Sequence, residues 1–113
     1  MEYPANATFY VRLSLMVPKE GMRDRVLDLH RKLVDWLQGQ PGFIRGFLIV
    51  EGDPEERVGH LNIYDSEQQA NQVAQSQHVL SVRSELKLLI EEDTQLEISW
   101  MAYDPQLAKK ATA

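Results

Sequence analysis

The stretch PGFIRGFLIVEGDPEERVGHLNIYD, Pro41 to Asp65, decides the fold. It holds two alternating runs, Phe43 to Glu51 and Arg57 to Asp65, joined across Gly52-Asp53-Pro54. Alternation predicts strands, and the Gly-Asp-Pro step predicts the hairpin connection between them. In the second run Leu61 and Ile63 alternate with His60, Asn62 and Tyr64. Before this pair lie an alternating run, Thr8 to Val17, and a helical run, Met22 to Leu37, stopped by Gly39 and Pro41. After it lie a helical stretch, Glu67 to Ile90, and a last strand, Gln95 to Tyr103. The order is β-α-β-β-α-β, an α+β, ferredoxin-like unit: a four-stranded antiparallel sheet with two helices on one face. The expected strand order is 4-1-3-2. The other face has no cover from its own chain, so a homodimer through the sheet face is expected.

Within the first strand Phe9, Val11, Leu13, Leu15 and Val17 point one way, and Tyr10, Arg12, Ser14 and Met16 the other. The first helix carries a stripe of Met22, Val26, Leu29, Leu33, Trp36 and Leu37 at three- and four-residue spacing. His30 lies at the edge of that stripe and reads as a half-buried neighbour of Val26 and Leu33. Ser66 and Gln69 fit a capping box at the start of the second helical stretch. Its first half is rich in Gln and Asn, and a break is expected near Ser76-Gln77-His78, before the stripe of Val79, Val82, Leu86, Leu89 and Ile90. Leu96, Ile98 and Trp100 alternate with Glu97, Ser99, Met101 and Tyr103 in the last strand. Trp36 and Trp100 both sit on apolar stripes and are expected in the core.

A chain of 113 residues with 43% hydrophobic and 26% charged residues predicts one globular domain, 1–113, with its core between about 8 and 103. Cysteine is absent, as suits a reducing cytoplasm. The first residues lack the basic start and apolar core of a signal peptide, and no apolar run approaches the ~20 residues of a membrane span. A soluble cytoplasmic protein without membrane contact is expected. The net charge of −5, with scattered basic residues, argues against binding nucleic acid. No glycine-rich phosphate loop is present, and the three histidines fall on different elements, so neither a cofactor nor a metal is expected.

One sheet face collects the polar groups. With the first strand between the third and fourth, Tyr10, Arg12 and Ser14 neighbour His60, Asn62 and Tyr64, with Glu97, Ser99 and Tyr103 beyond. Two readings compete. In one, Arg12 pairs with Glu97 and the rest are satisfied across a dimer; in the other, some of these groups line a ligand site. His60 suits a general base near neutral pH, and the Tyr64 hydroxyl suits holding a substrate oxygen. Leu61 and Ile63 look suited to pack under the helices. His78 and Arg83 flank the apolar stripe of the second helical stretch; Arg83 either reaches an anionic oxygen or packs its methylene stem on the surface.

Several pieces now carry a resemblance: Val17-Pro18-Lys19-Glu20-Gly21, Trp36-Leu37, Gln40-Pro41-Gly42-Phe43, Ile63-Tyr64-Asp65-Ser66-Glu67 and Gln75-Ser76-Gln77-His78. Together, from about Thr8 to Tyr103, they resemble the antibiotic-biosynthesis-monooxygenase-like family of dimeric α+β barrels. The resemblance implies a homodimer with two sheets face to face, and a small ligand pocket between each sheet and its own helices. It also implies a cofactor-independent monooxygenase acting on a small phenol- or quinol-type aromatic ligand with molecular oxygen. His60 and Tyr64 would be catalytic, while Asn62, Arg83, His78 and Arg12 would bind substrate. This chain departs from the family at three places. Tyr64 stands where the third strand commonly ends in Trp, and His60 where polyketide oxygenases have Asn. Val11 stands where haem-degrading members have Asn. The alternative is a non-catalytic ligand-binding or stress-related dimer module; haem binding would need His78 or His60 as axial ligand.

Overall fold

The structure, a computed structural model, describes residues 7–106. Its elements are β1 (Thr8–Met16), α1 (Arg23–Leu37), β2 (Phe43–Val50), β3 (Val58–Tyr64), α2 (Glu67–Ala74), α3 (Gln77–Leu89) and β4 (Leu96–Tyr103). The strands form one antiparallel sheet in the order β2-β3-β1-β4, the expected order read from the opposite edge. Among the described residues no helix is long and apolar enough to cross a membrane.

Local chemistry accounts for the starts of three elements. The Ser66 hydroxyl accepts the Gln69 backbone N–H at 3.2 Å and opens α2. Ser76 does the same for Val79 at 3.3 Å and opens α3, so the expected break becomes two separately capped helices. Pro41 and Gly42 occupy a turn closed by the Phe43 N–H on the Gln40 carbonyl at 3.3 Å.

Directly opposed residues of an antiparallel pair share a face. Tyr10 opposes Tyr64 and Met101, Arg12 opposes Asn62 and Ser99, and Ser14 opposes His60 and Glu97. These side chains belong to the helix-covered face. At one end Tyr10 and Tyr64 pack with Leu33, Leu37, Val73 and Val79. At the other, Met16 and Val58 pack with Val26, Leu29, Leu86 and Ile90. The polar middle lies between two apolar clusters, which seal the helices to the sheet at both ends.

Two expectations are corrected by this arrangement. Leu61 and Ile63 do not lie under the helices; they oppose Leu13 and Val11 on the far face. Trp100, which opposes Val11 there, is 46% exposed and is no core residue, whereas Trp36 packs against the edge of the core. Period-two alternation separates the two faces of a strand without saying which one the helices cover. The far face therefore stays apolar and open, with Phe47 and Ile98 also substantially exposed.

Gly59, in β3, lets that strand lie close against β1 because it lacks a side chain. A Cβ at this position would collide with the Ser14 carbonyl, directly beside His60.

Candidate active site

Between the polar middle of the sheet and the helices lies a cavity of about 40 Å³. Arg12, Ser14, His60, Asn62 and Tyr64 form its sheet side; His30, Leu33 and Leu37 come from α1, and Val79, Arg83 and Leu86 from α3. Gln95 and Glu97, both exposed, stand at its rim. A void of this size holds about two or three waters, well short of the ~150 Å³ cavity known to admit benzene.

Five of the six expected site residues meet here: His60, Tyr64, Asn62, Arg12 and Arg83. His78 does not line the cavity. It is exposed on α3 and stacks on Trp36, with ring centroids 4.1 Å apart and planes 14° from parallel. The strand period brings His60, Asn62 and Tyr64 together on one side, and the β1 register adds Arg12.

The guanidinium of Arg12 donates to Ser99 Oγ at 3.1 Å, the Tyr10 hydroxyl at 3.0 Å and Asn71 Oδ1 at 3.0 Å. The expected pairing of Arg12 with Glu97 is not formed. Instead Glu97 accepts from Arg83 Nη2 at 2.6 Å, linking β4 to α3 across the rim. The register explains the exchange: Arg12 stands opposite Ser99, and Glu97 stands opposite Ser14. The side-chain acceptors of Arg12 among the described residues are thus all neutral groups.

His30 is the residue that sequence reasoning underrated. It is fully buried, and its Nδ1 lies 2.9 Å from Nδ1 of His60. The usable signal was the spacing Val26-His30-Leu33-Leu37, which puts His30 in the middle of a buried stripe rather than at its edge. Its Nε2 faces Met16 Sδ at 3.3 Å.

Burial pushes His30 down to about 4. For His60 burial acts first, then repulsion from His30 and Arg83, and together they push it down to about 3. Both rings are neutral at pH 7. Burial also raises Tyr64 above the usual phenol value, opposed by a hydrogen bond from Asn62 and the positive charges of Arg12 and Arg83, so its hydroxyl keeps its proton. Asn62 is 2% exposed, and its Oδ1 has no partner among the described residues. That oxygen rests over Gly46, where a Cβ would sit only 2.5 Å away. Among the described residues no three His, Cys, Asp or Glu side chains gather as a metal-ligand set.

The buried pair makes the fold sensitive to acid. An unfolded His30 takes up its proton near pH 6.5, whereas the folded ring does so only near 4. Falling pH favours the unfolded chain across that window, so stability is full above 6.5 and is progressively lost toward 4, by about 3 kcal/mol for this ring. Urea unfolding between pH 7 and pH 4 measures the loss. His30→Gln, which does not titrate, should flatten the curve; equal slopes in the two proteins would contradict an uncharged buried ring.

The chain superposes on a candidate antibiotic biosynthesis monooxygenase from Nitrosomonas europaea with a TM-score of 0.74 at 14% identity, over 93% of this chain and 96% of that one. Against SnoaB, a cofactor-independent oxygenase from Streptomyces nogalater, the TM-score is 0.70 at 15% identity, over 87% and 95%. A protein from Shewanella oneidensis gives 0.76 at 16% identity, over 86% and 93%. No family model and no curated protein matches the sequence. At such low identity the likeness speaks for the fold, and in that fold the expected resemblance holds: the chain has the ferredoxin-like α+β architecture of the antibiotic-biosynthesis-monooxygenase-like proteins.

Proposed function

We propose that this chain is a cofactor-independent monooxygenase of small phenols or quinols, working as a cytoplasmic homodimer closed through the open sheet face. The observation that carries the reading is a neutral His60 at the cavity whose Nε2 has no partner among the described residues, beside the protonated Tyr64 hydroxyl and two guanidinium groups. The structural neighbour from Streptomyces nogalater is itself a cofactor-independent oxygenase.

In the proposed reaction His60 Nε2 takes the phenolic proton. Burial makes the empty site a weak base, but the oxyanion formed as the proton moves supplies the opposite charge that burial had withheld from imidazolium. Tyr64 donates to the substrate oxygen, with Asn62, Arg12 and Arg83 positioning the anion. The electron-rich ring passes an electron to oxygen, and the two radicals join at a hydrogen-bearing ring carbon, para to the phenolic oxygen in a phenol whose para position is free and ortho to it in a quinol. Loss of that carbon's proton breaks the O–O bond: one oxygen stays as a quinone carbonyl and the other leaves as water, using the proton held by His60. The balance is ArH(OH) plus O2 giving quinone plus H2O, with all four electrons coming from the substrate.

A ring needs more room than about 40 Å³. The Arg83–Glu97 pair at the rim is the natural door, since both side chains are more than a third exposed. A solvated pair of this kind costs about 1 kcal/mol or less to open.

Oxygen-electrode measurements with a hydroquinone and naphthol panel test the proposal. The wild-type protein should accelerate uptake over buffer, with one O2 consumed per quinone formed. A rate no higher than that of the His60→Ala, Tyr64→Phe double variant rejects it.

A further inference from the structure

The proposed chemistry needs one ring nitrogen of His60 to be bare, and a neutral histidine has two tautomers to choose from. The surroundings of His30 make that choice. Two Nδ1 atoms 2.9 Å apart require one N–H and one lone pair between them. On the far edge of His30, Nε2 sits 3.3 Å from Met16 Sδ. A thioether carries no proton and only accepts, so a hydrogen on Nε2 makes a weak bond, whereas a lone pair there faces the lone pairs of sulfur. With one proton to place, His30 carries it on Nε2 and offers its Nδ1 lone pair to His60. His60 must then donate from Nδ1, and its Nε2 is left unprotonated. The rival state, a doubly protonated His30 donating at both edges, puts a full charge on a ring with no exposed surface and no carboxylate among its bonded partners.

We infer that Met16 is a positioning residue: its sulfur holds the proton on His30 Nε2, and through the His30–His60 bond it leaves His60 Nε2 bare at the cavity. Met16 is well placed for this, being 1% exposed and wedged among Val26, Leu29, Val58, Leu86 and Ile90. Its sulfur has little freedom to turn away. The catalytic meaning of this relay rests on the proposed function, but the protonation pattern itself requires no substrate.

Long-range proton–nitrogen NMR spectra of the labelled full chain at neutral pH read the pattern directly. The expected result is an unprotonated nitrogen signal for His60 Nε2 and His30 Nδ1, and protonated signals for His60 Nδ1 and His30 Nε2. The opposite assignment of His60 overturns the inference. Met16→Leu preserves volume while removing the acceptor. It should move the His60 Nε2 signal toward the protonated position, as the pair begins to sample both tautomers; unchanged signals in both rings overturn the role of Met16. If that variant does not fold, selenomethionine labelling replaces only the sulfur. It should shift the His30 Nε2–H proton resonance, and an unmoved resonance again overturns the role. The two proposals fail distinguishably: absent oxygen uptake with the expected tautomers removes the chemistry alone, whereas active enzyme with His60 Nε2 protonated removes the relay and the role of that nitrogen as base while the oxygenase activity stands.

Discussion

His60→Ala is expected to lower kcat for quinol oxidation about 10²- to 10⁴-fold, the range a positioned general base contributes, with a smaller change in KM. The split follows from the site. Tyr64, Arg12 and Arg83 line the cavity independently of His60 and would still hold the substrate oxygen. His60→Asn, whose amide nitrogen can still donate to His30 Nδ1, should lose a similar factor and so separates loss of the base from loss of packing. The pH profile adds a second signature. Because free His60 titrates at about 3, kcat/KM in the wild-type protein should stay level on the acid side down to roughly pH 5. An inflection near the ordinary histidine value of 6.5 would point to a base in a more solvated setting than that of His60.

Leu13→Asp is expected to break the proposed dimer while leaving the subunit folded. Leu13 sits at the centre of the open face, between Leu61 and Ile98. In a lone subunit the new carboxylate reaches water and costs little. In a two-fold interface it is buried twice, at about 3 kcal/mol each, which weakens association on the order of 10⁴-fold. Sedimentation at micromolar concentration distinguishes the cases. Wild-type dimer and folded variant monomer would support the closed face. A stably folded wild-type monomer, with Phe47, Ile98 and Trp100 left in water, would remove the homodimer from the proposed function.

Much of this architecture is readable residue by residue. Ser66 opens α2 as its spacing to Gln69 implies, and Ser76 divides the second helical stretch where the polar run ends. Such signals are local, resting on one side chain and an amide three residues away. The shared face of His60, Asn62 and Tyr64 is equally local, because the strand period dictates it. By contrast, His78 shares a helix with Arg83, yet faces Trp36 rather than the cavity. Whether a residue beside a stripe turns inward depends on how the helix is rotated against the sheet, and that is set by distant partners.

The sequence by itself determined the order of elements, the strand order and the division of each strand into a polar and an apolar face. The elements and their faces follow from short-range periodicity and turn chemistry, which every peptide segment carries with it, and the strand order follows from the β-α-β-β-α-β sequence of those elements. Tertiary structure alone decided that the polar face lies under the helices and the apolar face lies open. It also decided that Glu97 binds Arg83 instead of Arg12, and that His30 reaches across from α1 to His60. These contacts join positions 14 and 30 residues apart, and only packing of the whole sheet against its helices brings them within bonding distance.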